Sequence, residues 1–243
     1  MKKLLNSCLA LCATFFLASL FPASQAHAQR RTPRRDPSPD VTTKQQQPSP
    51  TPLPTPTPQP TPAAEPFDGA SVERMAAQCV RLETEAGTIE MKMLPEVAPE
   101  TVRNFLNLVA TGAYDTTTFS RVVKNFVIQG GNLSTRENLT PELAARSRRT
   151  IPDEPNEVKH VRGVVSMARP ASPNSSTTHF FILVSDAAYL NGTFAAFGRV
   201  TKGMEVVDAI NKVAIEGEKP LTPIRVGSAS VFACAAKPPA PAQ

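Results

Sequence analysis

Tyr114-Asp115-Thr116-Thr117-Thr118-Phe119-Ser120-Arg121-Val122-Val123-Lys124-Asn125-Phe126-Val127-Ile128-Gln129-Gly130-Gly131 is the most informative stretch of the chain. From Phe119 to Gln129 it is rich in aromatic and β-branched residues, which pack well on a pleated surface, and it ends at a glycine pair. It reads as one β-type run, with Ser120, Arg121, Lys124, Asn125 and Gln129 as its polar members. Gly130-Gly131 lacks the Lys and following Ser/Thr of a phosphate-binding loop, so nucleotide chemistry is not indicated.

Similar short runs follow, at Gly163 to Met167, Phe180 to Val184, Phe194 to Val200 and Ile224 to Ala233. Upstream, Val80-Arg81-Leu82-Glu83-Thr84 and Thr88-Ile89-Glu90-Met91-Lys92-Met93 alternate apolar and polar about Gly87, the pattern of a half-buried hairpin. Two helices interrupt this β pattern. Pro99 suits a first helical turn, Val102, Phe105, Leu106 and Val109 recur at helical spacing, and Gly112 is placed to stop the helix. Met204, Val207, Ile210 and Val213 after Gly203 indicate the second. Many short strands and two helices predict an antiparallel sheet or closed barrel, not alternating βα units.

The rest of the 243 residues is organised around its prolines: twelve of the 25 fall between Pro33 and Pro66. Such a stretch cannot build a core. The reading is therefore a signal peptide at 1–28, an Arg/Pro-rich linker at 29–66, a lead-in at 67–78, one folded domain at 79–234 and a tail at 235–243. Met1-Lys2-Lys3 is the charged start of the leader, Leu9 to Phe21 its apolar region, and Ala26-His27-Ala28 the small-x-small site with the cut after Ala28. The apolar region is too short to span a bilayer, so no integral span is expected after cleavage. A periplasmic or secreted protein is the expectation.

Between Pro48 and Pro62 proline alternates with Thr, Ser, Leu or Gln, which favours a polyproline II rod of roughly 45 Å at about 3.1 Å per residue. It reads as a spacer, with a docking peptide as the alternative. The formal net charge of +5 is concentrated in Arg30, Arg31, Arg34 and Arg35, a solvated arm suited to anionic lipid or envelope polymer. The folded part is near neutral, so nucleic acid is not an expected partner.

The three histidines and four cysteines are not spaced as metal ligands, and neither metal nor cofactor is expected. There is no G-x-S-x-G motif, and Ser166 and Ser172 have no evident base partner in the sequence. Cys79 and Cys234 remain after loss of the leader; in an exported protein they are either a disulfide or two buried thiols.

The opening stretch resembles the F-x-R-x-x-x-x-F-x-x-Q-G-G signature of the cyclophilins. Gly163-Val164-Val165-Ser166-Met167-Ala168-Arg169, followed by Pro173-Asn174 and Thr178-His179-Phe180-Phe181-Ile182, is similar to that family's G-x-x-S-M-A run and its aromatic strand. Ala98-Pro99-Glu100-Thr101-Val102-Arg103-Asn104-Phe105 and Phe197-Gly198-Arg199-Val200 add to the likeness, which runs from about Cys79 to Cys234 in family order. It implies a mainly β fold, a closed eight-stranded antiparallel barrel capped by two α-helices. It also implies peptidyl-prolyl cis-trans isomerase activity on proline-containing unfolded or extended polypeptides. Nothing in the sequence requires more than a monomer, which is the expectation.

By the same resemblance Arg121 is the catalytic arginine, Gln129 orients it, and Phe126 belongs with it. Phe126, Val127 and Phe181 form the apolar pocket for the proline ring, Phe194 stands at its wall, Tyr189 and Leu190 are further substrate-binding positions, and main-chain groups of Ala168 and Arg169 hold the extended peptide. Departures are Arg169 where Asn is usual, His179 for Gln, Tyr189 for the Trp of many eukaryotic members, and Phe194 for a frequent His. His179 introduces a charge that titrates near pH 6.5. The altered Tyr189 and Phe194 wall admits a second expectation, a non-catalytic module that binds proline segments as a scaffold or chaperone.

Overall fold

The computed structural model describes residues 64–235. The expected leader, most of the linker and all but the first residue of the tail lie outside those residues.

The alternating segments form the expected hairpin, β1 (Gln78–Thr84) and β2 (Gly87–Met93), turning at Gly87. The helix signals hold as well. Pro99 opens α2 (Pro99–Ala110), which buries Val102, Phe105, Leu106 and Val109, and α4 (Met204–Asn211) buries Val207 and Ile210. Two further helices were not expected, α1 (Val72–Ala76) and α3 (Pro141–Arg146). Each is too short for a periodic apolar stripe and starts from a local cap: the Ser71 and Thr140 hydroxyls accept from the N–H of Arg74 and Leu143.

The run Phe119 to Gln129 is two strands, not one. β3 (Arg121–Val123) and β4 (Val127–Gly130) form a hairpin about Lys124 and Asn125, with Asn125 at φ 57° and Phe126 N–H donating to the Val123 carbonyl. Asn tolerates this left-handed conformation, so an apparently continuous run can reverse there. Asn211 of α4 clamps the turn, donating to the Val123 and Val127 carbonyls and accepting from Asn125 N–H.

β5 (Val164–Met167), β6 (Phe180–Leu183), β7 (Ala196–Lys202) and β10 (Val226–Ala233) complete an antiparallel sheet in the order β10-β1-β2-β7-β5-β6-β4-β3. A small separate hairpin joins β8 (Ile215–Glu216) to β9 (Lys219–Pro220). The chain is thus mainly β with an eight-stranded curled sheet, but the expected closed barrel is not seen as a continuous ladder. β10 and β3 meet only through a bridge at Thr118 and Arg225 and flanking bonds, Phe119 N–H to Ile224 O and Val226 N–H to Thr117 O. The reason is local: Val122 N–H on the outer edge of β3 is already taken by the Glu218 carbonyl, at 2.8 Å.

Alternation along the strands separates two apolar layers. Val122, Ile128, Val165, Phe180 and Ile182 face the core inside the sheet. There Phe105 of α2 meets Tyr114, Phe180 and Phe197 at ring separations of 5.3, 5.3 and 4.9 Å. Val127, Val164, Phe181 and Leu183 form a second cluster on the other face. Both faces of β5 and β6 are therefore covered, and every residue of each is buried.

Ordered contacts begin before the boundary that composition suggested. Glu65, within the expected linker, pairs with Arg146 at 2.6 Å and Arg149 at 3.0 Å, and the lead-in buries Phe67 and Met75 in the main core. Composition has no means of showing that distant arginines meet this carboxylate. Cys79 and Cys234 are joined as a disulfide with Cα atoms 5.0 Å apart, fastening β1 to the chain beyond β10.

Candidate functional site

Cross-strand register assembles the site. Arg121 on β3 lies opposite Gln129 on β4, which lies opposite Phe181 on β6. Directly opposed residues project to one face of a sheet, so the three share the outer face. Val127, two residues from Gln129, joins them, and Phe126 follows the Asn125 turn.

These residues line a cleft of about 240 Å³. Phe181 and Leu190 are buried in it, Phe194 stands edge-on to Phe181 at 5.9 Å, and Phe126 lies 5.8 Å from Tyr189. Leu190 and Tyr189 belong to the 3-10 turn Ala188–Leu190, where Tyr189 is 71% exposed at the rim. Ala168 and Arg169 border the same cleft. Arg121, Phe126, Val127, Gln129, Ala168, Arg169, Phe181, Tyr189, Leu190 and Phe194 are thus brought together, although they come from five separate segments.

His179 is placed otherwise. It borders an adjoining cavity with Arg121, Gln129, Ala168, Arg169, Pro170, Ser175 and Thr177, outside the apolar cleft. Its Nδ1 lies 3.4 Å from Gln129 Nε2, and its carbonyl accepts from Ala168 N–H. Burial lowers its pKa below the ordinary 6.5, so the charge change expected near that pH moves to more acid conditions. Gly131 makes the close packing of β4 with this segment possible: at φ 82°, a Cβ there would lie 2.2 Å from the Thr178 carbonyl.

The Arg121 guanidinium donates from Nη1 to Gln129 Oε1 at 3.1 Å and from Nε to Glu218 Oε2 at 2.7 Å. Glu218 was missed in the sequence because it lies 97 residues from Arg121 and in no recognisable motif. The bond from Arg121 holds the Glu218 carboxyl below its ordinary pKa. Arg169, assigned a main-chain role, also uses its side chain: the guanidinium sits 5.3 Å over the Phe194 ring and 3.3 Å from Asp153. It is a cation-π brace for the cleft wall.

Ser166 does have a base beside it, contrary to the sequence reading. Its Oγ lies 3.1 Å from His160 Nε2, and His160 Nδ1 lies 3.3 Å from Asn191 Oδ1. Ser166 and His160 are 0% and 1% exposed, and Ser166 Oγ donates to the Ala195 carbonyl at 2.8 Å. A nucleophile sealed from solvent cannot reach an acyl substrate, so this is a structural network beneath the cleft. Among the described residues no group of three or more His, Cys, Asp or Glu is placed to hold a metal ion, and no helix is long and apolar enough to cross a membrane.

Residues 79–231 match the family model for the cyclophilin type peptidyl-prolyl cis-trans isomerase/CLD. A Streptomyces antibioticus peptidyl-prolyl cis-trans isomerase, cyp18, is 39% identical over 170 residues, covering 63% of this chain and 98% of that protein. Peptidyl-prolyl cis-trans isomerase A of Dickeya dadantii is 37% identical over 167 residues, covering 63% and 84%. The crystal structure of a Cryptosporidium parvum cyclophilin type isomerase, determined in the presence of the dipeptide Ala-Pro, superposes with a TM-score of 0.56 at 28% identity, covering 64% of this chain and 99% of that one. The family match extends over most of the chain and contains every residue that lines the cleft, as well as Glu218 beside Arg121; the chain therefore belongs to the cyclophilin-type peptidyl-prolyl cis-trans isomerases.

Proposed function

We propose that this isomerase accelerates X-Pro isomerisation in exported polypeptides, with Arg121 assisting the twisting of the amide in the apolar cleft. The single observation that carries the reading is a fixed guanidinium at the mouth of a cleft floored by Phe181 and walled by Phe126 and Phe194.

An X-Pro bond keeps partial double-bond character, with a barrier of about 18–20 kcal/mol. No bond is made or broken, so the catalyst has only to hold the twisted amide better than either planar form. As the amide leaves planarity the prolyl nitrogen recovers its lone pair, and a donor placed against it favours the loss of resonance. Of its five N–H groups, Arg121 spends two on Gln129 and Glu218. The apolar walls hold the proline ring, contributing about 2 kcal/mol, which positions the substrate without trapping it. Lowering the barrier by about 6 kcal/mol gives an acceleration on the order of 10⁴.

Export rests on the leader sequence, and the Cys79–Cys234 disulfide suits an oxidising compartment. The Thr-Pro segment then serves as a spacer and the protein works as a monomer. Exchange spectroscopy on an Ala-Pro peptide tests the activity: catalysed exchange is expected, and peptide binding without it would establish a scaffold instead. N-terminal sequencing of the periplasmic or medium fraction tests export. A mature chain starting at Gln29 is expected; cytoplasmic protein with an intact leader would refute that part.

A further inference from the structure

The guanidinium of Arg121 is held from a second side by a residue outside every motif in the sequence. The β8–β9 hairpin turns through Gly217, at φ 60°, and Glu218. Its position is set by main chain, because the Glu218 carbonyl accepts from Val122 N–H, one residue from Arg121, at 2.8 Å. That bond brings the Glu218 carboxylate to 2.7 Å from Arg121 Nε.

An acceptor at one nitrogen does not fix an arginine. Gln129 takes only Nη1, and the long side chain retains rotational freedom about that contact. Nε and Nη1 lie on opposite edges of the planar group, so acceptors at both define its plane, and the remaining donors then have one direction. We infer that Glu218 is a positioning residue for Arg121, its carboxylate fixing the plane in which the free guanidinium donors serve the cleft. The inference rests on the proposed role of Arg121. A role in folding is a poor rival, since the two side chains are 40% and 54% exposed and pairs at that exposure contribute little to stability.

Four variants separate the possibilities: Glu218→Ala, Glu218→Gln, Arg121→Ala and the double variant, measured by peptide exchange, by thermal unfolding and by the Arg121 Nε–H resonance of ¹⁵N-labelled protein. Glu218→Ala is expected to lower kcat about three- to tenfold with KM within about twofold, as for an interaction felt mainly in the transition state. Its Tm should match wild type, and the Nε–H resonance should move to the position of a solvated arginine. Glu218→Gln keeps a carbonyl acceptor and should recover at least half of the lost rate. In the Arg121→Ala background Glu218→Ala should have no further effect. Wild-type kcat in Glu218→Ala, an unmoved Nε–H resonance, or an equal loss in the Arg121→Ala background would each overturn the inference. Should wild type itself fail to catalyse exchange, the proposed function falls, while the Nε–H resonance still judges the contact.

Discussion

Replacing Cys79 and Cys234 together by Ala should lower thermal stability substantially while sparing the cleft. The bond joins residues 155 apart, and constraining a loop of that size in the denatured chain is worth up to about 5 kcal/mol on the chain-entropy account. For a domain of this size each kcal/mol moves Tm by about 2–4 °C, so the full 5 kcal/mol corresponds to a drop of roughly 10–20 °C. The upper figure is a ceiling, because denatured chains are more compact than the entropy treatment assumes. β1 and β10 are also held by their own ladder, from Gln78 opposite Ala233 to Thr84 opposite Val226, and should keep it when the bond is lost. The cleft is built on β3, β4 and β6, towards the other end of the strand order. Peptide exchange at 10 °C should therefore remain within about twofold of wild type. Thermal unfolding of the double variant, and of wild type in reductant with free thiols confirmed by mass spectrometry, gives the shift. A change below about 3 °C would refute the loop-closure reasoning.

Three other perturbations probe the site. Gly131→Ala places a Cβ 2.2 Å from the Thr178 carbonyl and should both destabilise the domain and abolish activity, whereas Gly192→Ala, with nothing within 4 Å, should show only the strain of its positive φ; equal Tm values for the two would contradict the close-approach account. Phe181→Ala removes the cleft floor and should raise KM for a proline peptide about tenfold, equivalent to about 1.4 kcal/mol of lost contact, with kcat less affected; an unchanged KM would place the proline elsewhere. Burial depresses the pKa of both His160 and His179 below the ordinary 6.5. The unfolded chain therefore binds more protons just below that pH, and stability should decline as pH falls from about 6.5. His179→Gln should reduce the slope of that decline; an identical slope would exclude His179 from it.

The residues that build the cleft were legible through the resemblance of their flanking motifs to the cyclophilins; taken alone, Arg121 reads as a strand charge and Phe126, Val127 and Phe181 as core. The pairing of Arg121 with Gln129 and of Gln129 with Phe181 follows from strand register once β3, β4 and β6 exist. The hairpin at Gly87 and α2 were legible from their two periodicities, 2.0 and 3.6, over enough residues to show. What failed was short or distant. The reversal at Asn125 depends on one residue's tolerance of positive φ, α1 and α3 on single caps, and Glu218 and His160 on neighbours that only the folded chain supplies. The missing ladder between β10 and β3 has the same origin, since the hairpin that occupies the β3 edge is two residues per strand.

Arg121→Ala, studied by exchange spectroscopy with a proline peptide at saturating and subsaturating concentrations, bears most directly on the mechanism. Phe126, Phe181 and Phe194 are untouched by the change, so the peptide should still bind with affinity within about threefold, while its bound cis/trans exchange slows at least tenfold. Exchange at the wild-type rate in the bound variant would contradict the account, because the cleft alone would then suffice to twist the amide.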